Sequence, residues 1–149
     1  MPVRQRADGS GAAEPLVTDA PLPGSKTATS WSADSRLLAI QSGANVVVRD
    51  TDGVVHPTLT TSAIEREARF APDGHWLAYR SDETGRDEVF VQSYPLGNGK
   101  FQISTEGGAQ PMWAPTGREL FYKNGNRMMA VDVAVGTAFK PTSTPRVLF

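Results

Sequence analysis

The chain has 149 residues, with 15 Lys plus Arg against 16 Asp plus Glu, and it contains no cysteine. This length fits one ordinary domain, and the near-neutral balance argues against a nucleic-acid or anionic membrane partner. The lack of cysteine excludes a disulfide framework and a thiolate metal site, but it does not fix the compartment. No run approaches the ~18 apolar residues of a membrane span, so we expect no membrane insertion of this segment.

The first predicted elements are a polar turn at residues 7–11 and a short strand at residues 14–17. Three similar hairpins follow. They read WSADSRLLAI from Trp31, FAPDGHWLAY from Phe70 and WAPTGRELFY from Trp113, and their aromatic residues are 39 and 43 residues apart. A period of roughly 40–45 residues is typical of the four-stranded blades of a β-propeller.

Each hairpin has the same logic: an aromatic residue ends one strand, a tight turn follows, and an apolar run begins the next strand. We predict that the turns depend on Asp34, Asp73, Gly74 and Gly117, because Asp accepts a backbone N–H and Gly tolerates positive φ. The continuous apolar runs indicate strands covered on both faces. The predicted blade core is Trp31, Phe70, Leu77, Tyr79, Trp113, Leu120 and Tyr122.

Third strands are predicted at residues 46–48, 88–91 and 128–131, and fourth strands at residues 58–60, 102–104 and 146–149. Residues 62–67 are predicted to form a link between blades. The sequence therefore predicts an all-β propeller segment of three complete four-stranded antiparallel blades, at residues 25–61, 62–106 and 107–149. Residues 1–24 are predicted to be the outer part of an incomplete preceding blade.

With these motifs in view, FAPDGHWLAYRSDETGRDEVFVQ and its counterparts resemble the blades of the TolB-like, WD-repeat-like bacterial propellers. The stretch of residues 69–149, with GGAQPMWAPTGRELFYKNGNRMMAVDV and a final PRVLF, is similar to the C-terminal blades that follow a serine/threonine kinase domain in receptor-like bacterial kinases. The first full blade departs from the pattern, because residues 41–50 are compressed and Ser35 replaces the usual Gly.

The resemblance implies a non-catalytic module for protein or ligand recognition, such as the sensor region of a kinase in a periplasmic or extracytoplasmic compartment. It also leaves open a propeller accessory to a prolyl-oligopeptidase-like serine hydrolase. The expected partner is a protein or the missing blades, and three blades could also complete a ring by self-association, since propellers have four to eight.

No catalytic motif is found in the sequence. The Gly-rich loop, catalytic-loop Asp and Asp-Phe-Gly triplet of kinases are absent, and residues 8–11 do not have the Gly-x-Ser-x-Gly spacing of a hydrolase. We therefore expect no enzyme activity and no cofactor. His56 is predicted to lie in a loop and His75 beside a turn, with no metal-ligand spacing around either.

The densest acidic segment is SDETGRDE at residues 81–88, which could supply oxygen ligands to calcium but lacks a complete calcium-loop pattern. A solvated loop is the favoured interpretation, because the equivalent loop of the next blade carries Lys and Arg instead. We predict no metal site there. Its charged residues Asp82, Glu83, Arg86 and Asp87 are a hypothetical contact surface for a partner.

Overall fold

The computed structural model describes residues 3–15, 23–97 and 99–149, and these residues form β-strands, turns and loops without a helix. The first two strands, β1 (Val3–Arg4) and β2 (Glu14–Pro15), pair antiparallel, and Arg4 forms an ion pair with Glu14 at 2.9 Å. The strand predicted at residues 14–17 begins here. Its residues 16 and 17 lie outside the described residues.

Blade 1 is an antiparallel sheet in which β3 (Lys26–Trp31), β4 (Leu37–Ser42), β5 (Asn45–Asp50) and β6 (Val55–Leu59) are neighbours in chain order. The prediction that His56 lies in a loop was wrong, because β6 starts three residues before Thr58 and His56 lies opposite Val48. The Asp50 carboxylate explains the early start, since it accepts the backbone N–H of Val54 at 2.9 Å and contacts His56 at 2.8 Å.

Blade 2 repeats the arrangement with β7 (Glu65–Phe70), β8 (Trp76–Ser81), β9 (Glu88–Ser93) and β10 (Lys100–Gln102). The predicted link at residues 62–67 is shorter than expected, because β7 already begins at Glu65. The Glu65 N–H donates to the carbonyl of Ala44 at 2.7 Å, and Glu65 pairs with Ser81 across the sheet. These contacts extend the inner strand into the predicted link.

Blade 3 contains β11 (Ala109–Trp113), β12 (Glu119–Asn124) and the long β13 (Arg127–Ala134), which pairs with both β14 (Lys140–Pro141) and β15 (Arg146–Val147). The fourth strand predicted at residues 146–149 is confirmed by β15 and by a hydrogen bond from the Leu148 N–H to the Met128 carbonyl. The sequence pattern did not predict β14. The predicted all-β class with antiparallel four-stranded blades is confirmed.

In each blade, the turn between the first and second strands has the same hydrogen-bond pattern. The Asp34 carboxylate accepts the N–H of Arg36 at 3.1 Å, the Asp73 carboxylate accepts that of His75 at 2.9 Å, and the Thr116 hydroxyl accepts that of Arg118 at 3.3 Å. The next residue has a positive φ in each blade: 59° at Ser35, 75° at Gly74 and 69° at Gly117. Ser35 therefore adopts a conformation that favours glycine.

Two apolar clusters hold the blades together. The cluster between blades 1 and 2 includes Val46, Phe70, Leu77 and Tyr79. The cluster between blades 2 and 3 includes Trp76 and residues of β11, β12 and β13 in blade 3. Phe139, from the segment between β13 and β14, enters the second cluster, and its ring centroid lies 5.4 Å from that of Trp76. Each junction thus buries the apolar face of one blade against the next.

One predicted core residue is not in the core. Trp31 is 50% exposed, whereas the equivalent Phe70 and Trp113 are 6% and 8% exposed. The other predicted core residues, Leu77, Tyr79, Leu120 and Tyr122, are buried. The reason is positional: Phe70 and Trp113 pack against the preceding blade, and Trp31 belongs to the first four-stranded sheet of the described chain.

Candidate functional site

The inner strands of the blades lie side by side, with β3 next to β7 and β7 next to β11. Each inner strand contains a β-bulge at the equivalent place: between Ala28 and Ser30, between Arg66 and Arg69, and between Ala109 and Met112. A bulge turns the side chains of one strand away from the regular alternation and is frequent beside binding sites. The repetition of this irregularity in all three blades marks the inner strands as the candidate site.

Two bulge residues have backbone conformations that are uncommon for non-glycine residues. Glu67 has φ 59° and Gln110, three residues before Trp113 as Glu67 is before Phe70, has φ 53°. Such conformations persist only where the surroundings hold them, and they are concentrated at functional sites. Here the Glu67 carboxylate accepts the Gln110 N–H at 2.7 Å and lies 3.5 Å from the Arg80 guanidinium.

Polar contacts connect the inner strands of neighbouring blades. The Ser30 hydroxyl accepts the Phe70 N–H at 3.0 Å, and the Arg69 guanidinium donates to the Thr29 carbonyl. At the next junction the Trp113 indole N–H donates to the Arg69 carbonyl at 3.0 Å. These contacts fix the spacing of the strands, so the side chains between them have defined positions.

A cavity of about 660 Å³ lies along the inner strands, and we call it the axial groove. The residues that line it are Ser30, Trp31, Ala33, Glu67, Arg69, Phe70, Ala71, Pro72, Gln110, Pro111, Met112, Trp113, Ala114 and Pro115. Trp31 and Met112, which is 59% exposed, offer apolar surface, while Arg69 and Gln110 offer hydrogen-bonding groups. Concave, mostly apolar surfaces with a few fixed polar groups are typical of binding sites.

The predicted contact loop lies elsewhere, at the end of the blades where β8 ends and β9 begins. Its four charged side chains make contacts within the chain. Asp82 accepts the Ile64 N–H at 2.8 Å, Glu83 pairs with Lys100, Arg86 pairs with Glu88 at 2.7 Å, and Asp87 lies 3.6 Å from Arg80. The structure does not bring these residues to the axial groove, and their contact with a partner stays a prediction.

The turn residues Asp34, Asp73, Gly74 and Gly117 lie between the first and second strands of their blades, next to residues that line the groove. The two histidines lie apart, with His56 in β6 and His75 exposed beside its turn. The hydrogen bond from His56 is the largest cause of the lowered pKa of Asp50. Among residues 3–15, 23–97 and 99–149, no three His, Asp or Glu side chains come together as metal ligands.

Two carboxylates are buried in blade 2, but their partners give them structural positions. Glu88 accepts hydrogen bonds from the Ser104 hydroxyl and from the Gly107 N–H at 3.0 Å, at the link to blade 3. Glu65 accepts the Thr61 hydroxyl, and its burial raises the pKa of this carboxyl above the ordinary value. Both groups connect a strand to the adjacent link, away from the axial groove.

Sequence reasoning missed the groove residues Glu67, Arg69, Gln110 and Met112. The repeat does contain a signal for them, since Arg69 and Met112 precede the blade aromatic by one position and Glu67 and Gln110 precede it by three. The residue types at these positions differ between blades. A search for similar residues at the repeat period therefore passes over them.

The open arc of antiparallel blades defines the chain as a β-propeller segment. In that class it is similar to two TolB structures. The protein described as TolB from Agrobacterium tumefaciens superposes with a TM-score of 0.72 and 15% sequence identity, over 95% of this chain and 53% of that chain. TolB from Acinetobacter baumannii gives 0.68 and 17%, over 95% of this chain and 35% of that chain.

The chain thus spans about half and about a third of the length of these two structures. A protein described as a 6-phosphogluconolactonase from Bacteroides uniformis also superposes, with a TM-score of 0.58 and 15% identity, over 97% of this chain and 47% of that chain. No family model matches the sequence. At such identities the likeness concerns the fold, and one fold carries several functions. No helix in the described part of the chain is long and apolar enough to cross a membrane.

Proposed function

We propose that the chain is a non-catalytic recognition module, a part of a larger TolB-like propeller, that binds a segment of a partner protein in the axial groove. The observation that carries the proposal is the composition of this groove. Exposed Trp31 and Met112 stand beside Arg69 and Gln110 on strands whose spacing is fixed by hydrogen bonds. Trp and Arg are the residues that most often dominate binding energy at interfaces.

The groove also suggests what the segment would contain. Its apolar side chains would cover Trp31 and Met112, and an acceptor such as a carboxylate would take the remaining donors of the Arg69 guanidinium. The groove is open to solvent at Trp31, Gln110 and Met112, which are exposed. An extended backbone fits such a shape better than a bulky folded surface does.

The kinase-associated role is the finer part of the proposal. It is supported by the similarity of residues 69–149 to the C-terminal blades of receptor-like kinases. The contacts in the groove do not bear on it. A reading frame in which a kinase domain precedes these blades would support it. A reading frame with an α/β-hydrolase domain instead would favour the accessory role.

Recognition is tested with a displayed library of random peptides, selected on the full chain and then measured by titration calorimetry. We expect selected peptides to bind with about tenfold weaker affinity to Arg69→Glu, because charge reversal removes the carboxylate partner. Gln110→Asn, which keeps a residue tolerant of positive φ, is a second groove variant.

Arg118→Glu is the matched control, because Arg118 is exposed on blade 3 outside the groove and undergoes the same charge reversal. Thermal melts of all variants check that the fold is kept. Peptides whose affinity changes equally in Arg69→Glu and Arg118→Glu would contradict the groove as the site. A library that yields no binder would contradict recognition of a peptide segment.

A further inference from the structure

We infer that a second pocket, at the junction of blades 1 and 2, binds a guanidinium group and, resting on the proposed function, that an arginine of the segment bound in the axial groove supplies it. This pocket has a volume of about 390 Å³, and we call it the junction pocket. It shares the lining residues Ala33 and Pro72 with the axial groove. One segment can therefore reach both places.

The junction pocket exists because blade 1 has a leucine where blade 2 has a tryptophan. Leu37 and Trp76 each begin the second strand of a blade, six residues after the blade aromatic, and each packs toward the following blade. Trp76 is buried at the junction of blades 2 and 3, and its indole N–H donates to the Gly136 carbonyl at 3.2 Å. Leu37 is smaller and only half-buried, so the space that an indole ring fills at one junction is open at the other.

The walls of the junction pocket suit a flat group with apolar faces. Leu37 and Pro72 provide apolar surface, and the ring of Tyr94 lines the same pocket. Tyr94 is held on two sides, because its N–H donates to the His75 carbonyl at 2.8 Å and its ring meets that of Phe70 edge-on, with centroids 5.5 Å apart. A guanidinium group stacks well on aromatic and apolar surfaces of this kind.

Two carboxylates give the junction pocket its charge, one from the turn of each blade. Asp34 accepts the Ser32 hydroxyl at 2.6 Å and the Arg36 N–H through Oδ1, and Asp73 accepts the His75 N–H through Oδ1. The Oδ2 atoms of both accept no hydrogen bond from the described part of the chain. The hydrogen bond from Ser32 lowers the pKa of Asp34, which keeps this carboxyl charged.

A guanidinium group meets both requirements of the junction pocket. It is planar and always charged, and its N–H donors can serve the free oxygens of Asp34 and Asp73 while its plane lies against the apolar walls. A lysine ammonium would meet the charge without filling the flat space. A neutral aromatic ring would fill the space and pair with neither carboxylate.

The charges of the two neighbouring sites also give the bound segment a direction. The axial groove presents Arg69 to a carboxylate, whereas the junction pocket presents Asp34 and Asp73 to a cation. We therefore expect the segment to carry an acidic residue toward the groove and an arginine toward the pocket. A segment with the opposite order of charges would have to run in the reverse direction.

The junction pocket is tested with a small ligand, acetyl-arginine amide, titrated into the full chain and followed by backbone amide NMR. We expect binding in the millimolar range, with shifts at Asp34, Gly74 and Tyr94. Acetyl-citrulline amide, which is flat but uncharged, should bind at least about threefold more weakly. Leu37→Trp should abolish the shifts, because it fills the pocket as Trp76 fills the equivalent space.

Asparagine variants separate the charge from the fold. Asp34→Asn and Asp73→Asn should each weaken the arginine ligand at least about threefold, because the amide oxygen keeps the turn hydrogen bond while the charge is lost. Asp8→Asn is the matched control, since Asp8 accepts the Ser10 N–H at 2.8 Å in the same way but lies outside the pocket. Acetyl-arginine amide that shifts no pocket amide, or that binds both pocket variants as well as the wild type, would overturn the inference.

The peptides selected for the axial groove give the second readout. We expect them to carry an arginine, and to lose about tenfold in affinity when it is replaced by citrulline. Selected peptides that need no arginine and bind Asp34→Asn unchanged would overturn the link between pocket and segment but leave the proposed recognition standing. A library without binders, together with binding of acetyl-arginine amide, would remove the proposed recognition and leave the guanidinium site.

Discussion

The same position of the repeat has opposite chemistry in blades 2 and 3. In blade 2, Trp76 begins the second strand and Phe101 lies in the fourth, with ring centroids 6.2 Å apart under the cover of blade 3. In blade 3, the equivalent positions are Glu119 and Arg146, which form an ion pair. Within the described chain, the face of blade 2 that blade 3 covers has aromatic rings, and the face of blade 3 that no other described blade covers has charges that pair with each other.

The largest expected effect comes from the covered side of this comparison. Trp76→Ala should destabilise the chain by about 3–5 kcal/mol, because it leaves a cavity beside the rings of Phe101 and Phe139 and an unpaired carbonyl at Gly136. Trp31→Ala is the matched control and should cost about 1 kcal/mol or less in dilute solution, since half of that side chain is already exposed. Urea unfolding measures both, and equal losses would contradict the distinction between the two tryptophans.

The packing of the junction between blades 2 and 3 is tested by adding one methyl group. A Cβ at Gly108 would lie 2.9 Å from the Ser104 Cβ and 3.0 Å from Val89, so Gly108→Ala should cost about 1–3 kcal/mol. Gly136→Ala is the control, because a Cβ there meets nothing within 4 Å. We expect it to be close to neutral in the same unfolding experiment. A neutral Gly108→Ala would mean that the junction is looser than the comparison requires.

The first turn of each blade extends the comparison, because the residue that suits this turn depends on the local backbone conformation and not on a neighbouring blade. Ser35→Gly should stabilise the chain by about 0.5–1 kcal/mol, since Ser35 has φ 59° where blades 2 and 3 have glycine. The reverse change in blade 2, Gly74→Ser, should destabilise by a similar amount. Thermal melts of the two variants should move in opposite directions, and parallel shifts would show that the turns are not equivalent.

The smallest effect is expected on the uncovered side. Arg146→Ala removes both ion pairs from an exposed position, although Ala130, which lies opposite Arg146, is itself buried. We expect a modest loss of stability that decreases with added salt, because exposed charges are screened. The loss caused by Trp76→Ala should not depend on salt in this way. Salt-independent loss in Arg146→Ala would indicate that its aliphatic stem, rather than its charge, protects Ala130.

Much of the fold follows from local sequence. The hairpins at Trp31, Phe70 and Trp113 predicted the blades because turn residues and apolar runs act within a few residues. The exposure of Trp31 could not be predicted in this way, since it depends on the neighbour of blade 1 and not on the motif. Phe139 was missed for a related reason: it reaches the core from an irregular segment between two strands that both pair with β13.

The candidate site was less predictable than the fold. The bulges at Glu67 and Gln110 arise where strand pairing shifts by one residue. Neither Glu nor Gln favours a positive φ, so the residue type does not indicate the bulge in the sequence. The contact loop at residues 82–87 attracted attention through its charge, yet its side chains bind other parts of the chain. The density of charged residues pointed to this loop. The groove could not be found from the sequence, because its position depends on which strands are neighbours in the fold.

The bulges have a consequence for how such a module could diversify. Ser30, Arg69 and Met112 occupy one shared position of the repeat, line the groove and differ in chemistry, whereas the aromatic residue that follows each of them is part of the blade motif. Substitution there changes what the groove presents while Phe70 and Trp113, one residue later, keep the junctions packed. In a chain built in this way, a new binding preference can arise one blade at a time while the aromatic residues of the junctions stay unchanged.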